Sequence, residues 1–201
     1  MLVVLLITSN QFWRWMYPIG YQSTIQQAAS ISDVDPLLVA SVIRVESKFQ
    51  KGDVSHAGAI GLMQLMPKTA VWIASQMQQS GEAGRYGITS SSADYLAVPQ
   101  TNIRLGSWYL NYLYQTFNGN QVAAIAAYNA GPKRVQQWLS SKTWNGQLQT
   151  IMQIPVGETR HFVDRVFYNY NLYKRIYGKD PEWQIKPGMA ATQTLTSNTT
   201  S

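Results

Sequence analysis

Apolar residues recur along this chain at steps of three and four, and no stretch of any length alternates between apolar and polar positions. That is helical patterning with little or no β. The spacing predicts helices over residues 21–30, 36–49, 67–79, 99–117, 121–129, 132–139 and 159–177. Asp35 and Pro36 supply an N-cap and a first helical position. Pro67 opens the third helix, Asn118-Gly119-Asn120 stops the fourth, and Gly131-Pro132 separates the next two. Ile103, Trp108, Leu110, Leu113 and Phe117 carry the rhythm of the fourth helix, and Phe162, Phe167, Tyr170, Tyr173 and Tyr177 that of the last. Glycine-rich 52–61 and polar 80–95 read as loops. The expected fold is all-α, a compact bundle of six to seven short helices with a groove between them.

One position breaks the pattern. The second helix presents Leu38, Val39, Val42, Ile43, Glu46 and Phe49 on one face. A carboxyl on an apolar stripe is costly unless it is protonated or paired. Burial penalises the charged form and raises the pKa. The C-terminal end of a helix is also a poor place for an anion. Arg44 and Lys48 oppose the shift, but a two-residue offset turns each to another face. Glu46 is therefore a candidate general acid, protonated near neutral pH. The bland alternative is a core-edge glutamate that snorkels or pairs with an arginine.

The ends differ from the middle. Met1–Ile7 is apolar and is followed by the aromatic cluster Phe12-Trp13-Arg14-Trp15-Met16-Tyr17. Seven apolar residues are too few to span a bilayer, which takes about 20. The run reads as a remnant signal, although it lacks a basic n-region and a clear cleavage site, or as the end of a membrane anchor; the alternative is an apolar N-terminal strand or helix packed on the domain. The Trp and Tyr residues suit an interfacial belt behind it. The Thr/Ser/Asn-rich end, 189–201, is expected to be disordered. The chain thus divides into residues 1–17, a folded domain over 18–178, and a largely disordered tail over 179–201.

Composition narrows the chemistry. With 201 residues, 45% of them hydrophobic, one domain can bury about 70% of its unfolded surface. There are no cysteines and only two histidines, His56 and His161, so thiol chemistry and a multi-histidine metal site are excluded. No cofactor or metal is implied. The net charge of +6 favours an anionic partner. The basic residues are scattered, which argues against nucleic acid. The 7 Trp and 12 Tyr residues suit sugar faces, interfaces and core alike.

A glycosidase ordinarily sets two carboxyls across the scissile bond. Asp33 and Asp35 read as caps, Glu82 and Asp94 lie in the polar loop, and Asp164, Asp180 and Glu182 read as surface residues. Asp53 and Glu158 remain as candidate partners for Glu46, each with a structural role of its own on offer. Tyr128-Asn129, at a helix end closed by Gly131-Pro132, brings a phenol and an amide that can hold a sugar hydroxyl or an N-acetyl oxygen; the alternative is a buried tyrosine with an asparagine at a C-cap.

Glu46-Ser47, Gly61-Leu-Met-Gln64, Ala127-Tyr-Asn-Ala-Gly131 and Glu158-Thr-Arg160 occur in this order and register. Over residues 18–178 the chain resembles the catalytic domain of the soluble-type lytic transglycosylases, in the lysozyme-like superfamily. It is similar to small single-domain versions exported by Gram-positive bacteria. The resemblance implies peptidoglycan as substrate, cut between N-acetylmuramic acid and N-acetylglucosamine. It implies Glu46 as the single acid/base, with the substrate's N-acetyl group replacing a second carboxylate and a 1,6-anhydromuramoyl end as product. Residue by residue it implies Ser55 near the N-acetyl group, Gln64 and Met66 lining the groove, Tyr128 beside the catalytic glutamate, Asn129 following it, and Glu158 touching glycan or peptide. Phe162 departs from the pattern, which usually has Tyr there. A monomer acting outside the cytoplasm is expected, at the cell wall or the outer membrane face, with membrane association through the N-terminal segment.

Three other readings compete. A goose-type lysozyme would hydrolyse the same bond. A wall-binding protein of the same fold would not cleave. A basic membrane-active protein would work through residues 1–17.

Overall fold

The computed structural model describes residues 10–88 and 93–184. The apolar run Met1–Ile7 and the tail 189–201 lie outside the described residues. Among those described there are eight α-helices: α1 Asn10–Met16, α2 Gln22–Ser32, α3 Pro36–Glu46, α4 Pro67–Gln79, α5 Pro99–Thr116, α6 Gln121–Ala130, α7 Pro132–Ser140 and α8 Gly157–Tyr177. Three 3-10 segments accompany them, Ala93–Ala97, Leu148–Gln153 (kinked at Thr150) and Pro181–Trp183. No strand occurs among the described residues, only the isolated bridges Val54–Ile60 and Ile60–Leu65. The fold is all-α.

Two helices form the centre because their sequences are apolar all round. In α3 every residue from Pro36 to Ile43 is buried, and in α6 Ala123–Ala127 are buried without a break. The four alanines around Ile125 let neighbouring helices approach α6 closely. The long α8 packs across both α3 and α6, and α5 packs on α2 and α6. Asp35 caps α3 as expected, its side chain accepting from the Leu37 N–H at 2.8 Å. Its other oxygen accepts from the Tyr170 hydroxyl at 2.6 Å, tying the start of α3 to α8.

The second helix ends earlier than its apolar stripe predicts. It stops at Glu46, and Lys48 and Phe49 take φ values of 53° and 66°. The cause is Ser47, whose hydroxyl donates to the Leu62 carbonyl at 2.8 Å and draws the chain into the next loop. Phe49 still packs inward, over the backbone of Gly20. Glu46 is thus the last helical residue.

The boundaries expected at 17 and 178 fall inside packed structure. Helix α1 lies on α8. Trp183 is buried beside Tyr177. Arg14 bridges Asp180 at 2.5 Å. Burial of one indole outweighs the polar composition of the flanking residues. Trp144, between α7 and α8, is wholly buried and orders that connection as well.

Candidate active site

The loop after α3 is fastened at the dipeptide Leu62-Met63 by three helices. Ser47, at the end of α3, donates to the Leu62 carbonyl at 2.8 Å. Asn102, in the first turn of α5, accepts from the Met63 N–H at 2.7 Å. Tyr128, near the end of α6, donates to the Met63 carbonyl at 2.8 Å. The Asn102 amide also donates to the carbonyls of Ile60 and Leu96 at 2.9 and 3.0 Å. Asn102 is wholly buried, so three hydrogen bonds satisfy a side chain that would otherwise be costly to bury.

The glycine of the motif follows from this packing. Gly61 has φ +80°, and a Cβ there would sit 2.6 Å from the Asn102 amide nitrogen. Leu62 and Met63 are fully buried. Gln64 turns the chain at φ 47°, and its amide donates to the carbonyls of Asp53 and Gly61 at 3.0 and 2.9 Å.

Glu46 stands at the edge of this assembly, largely buried. Its carboxyl is pushed from 4.5 up to about 8, chiefly by burial. The charge of Glu158 adds to the rise and that of Arg165 opposes it, both from α8. The opposing cation is thus Arg165, while Arg44 acts on Tyr173 instead. Glu158, Phe162 and Arg165 recur at helical spacing on α8 and share a face. No hydrogen bond or ion pair holds the Glu46 carboxyl among the described residues, so its proton is free for a ligand.

The site residues expected from sequence fall into two groups. Glu46, Tyr128, Asn129 and Glu158 form one neighbourhood. Burial and the Glu46 charge together raise Tyr128 well above the usual phenol range. Its ring stacks on Phe162 at 6.3 Å and leans on Tyr109 at 5.6 Å. Asn129 accepts from the Thr159 hydroxyl at 2.7 Å and donates to Glu158 at 3.5 Å. Ser55, Gln64 and Met66 belong to the loop. The Ser55 hydroxyl accepts from the Ala59 N–H at 3.0 Å, closing the turn, and Met66 is exposed just before α4.

Sequence reasoning passed over Asn102, Arg165, and the rings of Trp72, Tyr109 and Tyr112. Tyr109 leans on Tyr128 and stacks with Tyr112, and Trp72 meets Tyr112 edge-on at 5.0 Å. Together with Lys68, Thr69 and Pro132 the rings of Trp72, Tyr109 and Tyr112 line a shallow depression. Tyr109 and Tyr112 lie one helical turn from residues already noted, but only the fold turns them toward Tyr128. No group of three or more potential metal ligands occurs among the described residues. The arrangement can hold one protonated carboxyl against a bound ligand, beside a phenol and an aromatic wall.

Residues 23–151 match the family model described as Transglycosylase SLT domain. The chain is similar to the soluble lytic murein transglycosylase of Escherichia coli K12, with 33% identity over 168 residues, 82% of this chain and 24% of the relative. Among solved structures it is similar to the 70 kDa soluble lytic transglycosylase of Escherichia coli. That match has a TM-score of 0.73 and 31% identity and covers 86% of this chain and 27% of the other. An inactive Glu-to-Gln mutant of lytic transglycosylase Slt from Pseudomonas aeruginosa is also similar. Its TM-score is 0.67, with 35% identity, covering 81% of this chain and 25% of the other. The chain spans about a quarter of the length of these relatives.

Proposed function

The chain belongs to the transglycosylase SLT domain family, and from that premise we propose that it is a peptidoglycan lytic transglycosylase with Glu46 as its single acid/base. The observation that carries this reading is a carboxyl at the edge of the core with its pKa raised to about 8. Such a group is a proton donor at neutral pH. That a Glu-to-Gln change inactivates the similar Pseudomonas aeruginosa enzyme supports resting the chemistry on one glutamate.

The reaction cleaves the β-1,4 bond between N-acetylmuramic acid and N-acetylglucosamine. Glu46 gives its proton to the glycosidic oxygen as the C1–O bond breaks. The substrate's N-acetyl oxygen bonds to C1 and takes up the developing positive charge, a departure from the two-carboxylate scheme. Glu46, now a carboxylate, removes the proton of the C6 hydroxyl. O6 attacks C1, the N-acetyl oxygen leaves, and a 1,6-anhydromuramoyl end forms. No water is consumed and Glu46 ends protonated.

The other residues bind and orient. Tyr128 braces the loop beside the reacting centre. Ser55, Gln64, Met66 and Asn129 line the path of the glycan, and Glu158 keeps the Glu46 proton in place by its charge. The absence of a hydroxyl on Phe162 leaves its ring to stack on Tyr128. The substrate locates the enzyme outside the cytoplasm.

Mass spectrometry of muropeptides released from purified sacculi tests the reaction. Anhydromuramoyl ends are expected. Reducing muramoyl ends, one water heavier, would mean a hydrolase of the same bond, and no release would mean a wall-binding protein.

A further inference from the structure

Helix α1 is built inside out. Its inner face, Asn10, Trp13, Arg14 and Tyr17, faces α8 and the turn that follows it. Asn10 donates to the Ile176 carbonyl at 3.1 Å, Arg14 pairs with Asp180 and lies 4.9 Å from the Tyr177 ring centre, and the Tyr177 hydroxyl donates to the Tyr17 carbonyl at 3.0 Å. Polar contacts thus occupy much of the face that normally buries apolar surface. Phe12, Trp15 and Met16 recur at three and four residues on the opposite side. Trp15 is 74% exposed and Met16 46%. The Phe12 and Trp15 rings lie 6.2 Å apart and form one patch.

A helix of seven residues is not stable on its own. Here it is held by hydrogen bonds, an ion pair and a cation–π contact, and the result is an apolar face turned outward. Such a patch marks an interaction surface.

The surroundings select the partner. Trp13, Leu172, Arg175 and Lys179 line a cleft between α1 and α8. At this end Arg14, Lys174, Arg175 and Lys179 outnumber the acids Asp180 and Glu182. Exposed Trp and Met side chains on α1, at the end of the molecule where Arg175 and Lys179 line the neighbouring cleft, suit the headgroup level of an anionic bilayer.

We infer that the outer face of α1, with Arg175 and Lys179, docks on an anionic lipid surface. Phe12, Trp15 and Met16 enter the interface and the two cations meet headgroups. Helix α8 then acts as a strut. Glu158 in its first turn and Ile176 at its end lie about 27 Å apart at 1.5 Å per residue. The candidate active site lies at the end of α8 away from this face.

Co-sedimentation of the full chain with vesicles tests this, using phosphatidylglycerol mixed with phosphatidylcholine and, in parallel, phosphatidylcholine alone. Wild type should pellet with the anionic vesicles. The Trp15→Ser/Met16→Ser variant should bind about tenfold or more weakly. Arg175→Glu/Lys179→Glu should lose affinity on the order of tenfold, for anionic vesicles alone. All four positions are exposed, so melting temperatures should match wild type. Wild type remaining in the supernatant, or either variant pelleting unchanged, overturns the inference. So does a dimer in sedimentation velocity that the Trp15→Ser/Met16→Ser change dissolves.

Discussion

The Tyr128 hydroxyl donates to the Met63 carbonyl at 2.8 Å, so the phenol beside Glu46 braces the loop that forms one wall of the site. Its ring is held at the same time against Phe162 and Tyr109. Tyr128→Phe keeps the ring and deletes the brace. The Met63 carbonyl loses that partner, at a stability cost of about 1–2 kcal/mol. The expected kinetic signature is a fall in kcat of roughly tenfold with little change in KM, since the loss concerns positioning. Steady-state kinetics on soluble glycan oligomers, with thermal melts, check both effects.

The raised pKa of Glu46 makes stability depend on pH in a definite direction. The folded state keeps the proton up to about pH 8, whereas the unfolded chain releases it near its ordinary 4.5. Between these values the native state binds more protons, so stability falls as pH rises, by up to about 1.4 kcal/mol per unit. Glu46→Gln removes this dependence. Urea unfolding should find the variant more stable than wild type, with a gap that widens by about 2–4 kcal/mol from pH 5 to pH 8. A constant gap would mean that Glu46 is ionised in the native state throughout.

Activity should carry the same titration. The acid step needs protonated Glu46, so kcat/KM should decline on the alkaline side with an apparent pKa near 8. Glu158 raises that value by its charge, and Glu158→Gln should move the limb to lower pH. Arg165→Gln removes the opposing cation and should move it higher. Rate profiles of the three proteins on one soluble substrate decide the signs.

Asn102 lies away from the proposed chemistry but holds the loop. Asn102→Leu leaves the Met63 N–H and the carbonyls of Ile60 and Leu96 without the partner they share. A loss of about 3–5 kcal/mol is expected, visible as a lower midpoint in urea. A cost under about 1 kcal/mol would show that the loop is held by apolar packing of Leu62 and Met63 instead.

Glu46 was legible because an acid interrupts an apolar stripe, a signal that needs no structure. The helix starts were legible through Asp35, Pro36, Pro67 and Pro132, whose capping preferences are local. Asn102 was not, because its partners lie far away in sequence and are set by how the loop folds against α5. The early end of α3 was missed because Ser47 leaves the helix for a bond with Leu62, a tertiary contact that overrides the continuing apolar pattern. Residues 179–184 read as polar tail, yet the indole of Trp183 finds a place in the core.

The most direct test is cleavage of purified sacculi by Glu46→Gln beside wild type, with helicity and melting measured on the same samples. Loss of about a hundredfold or more in rate, in a variant as well folded as wild type, is the expected result. A folded variant that keeps more than about a tenth of the wild-type rate would contradict the assignment of Glu46 as the acid/base.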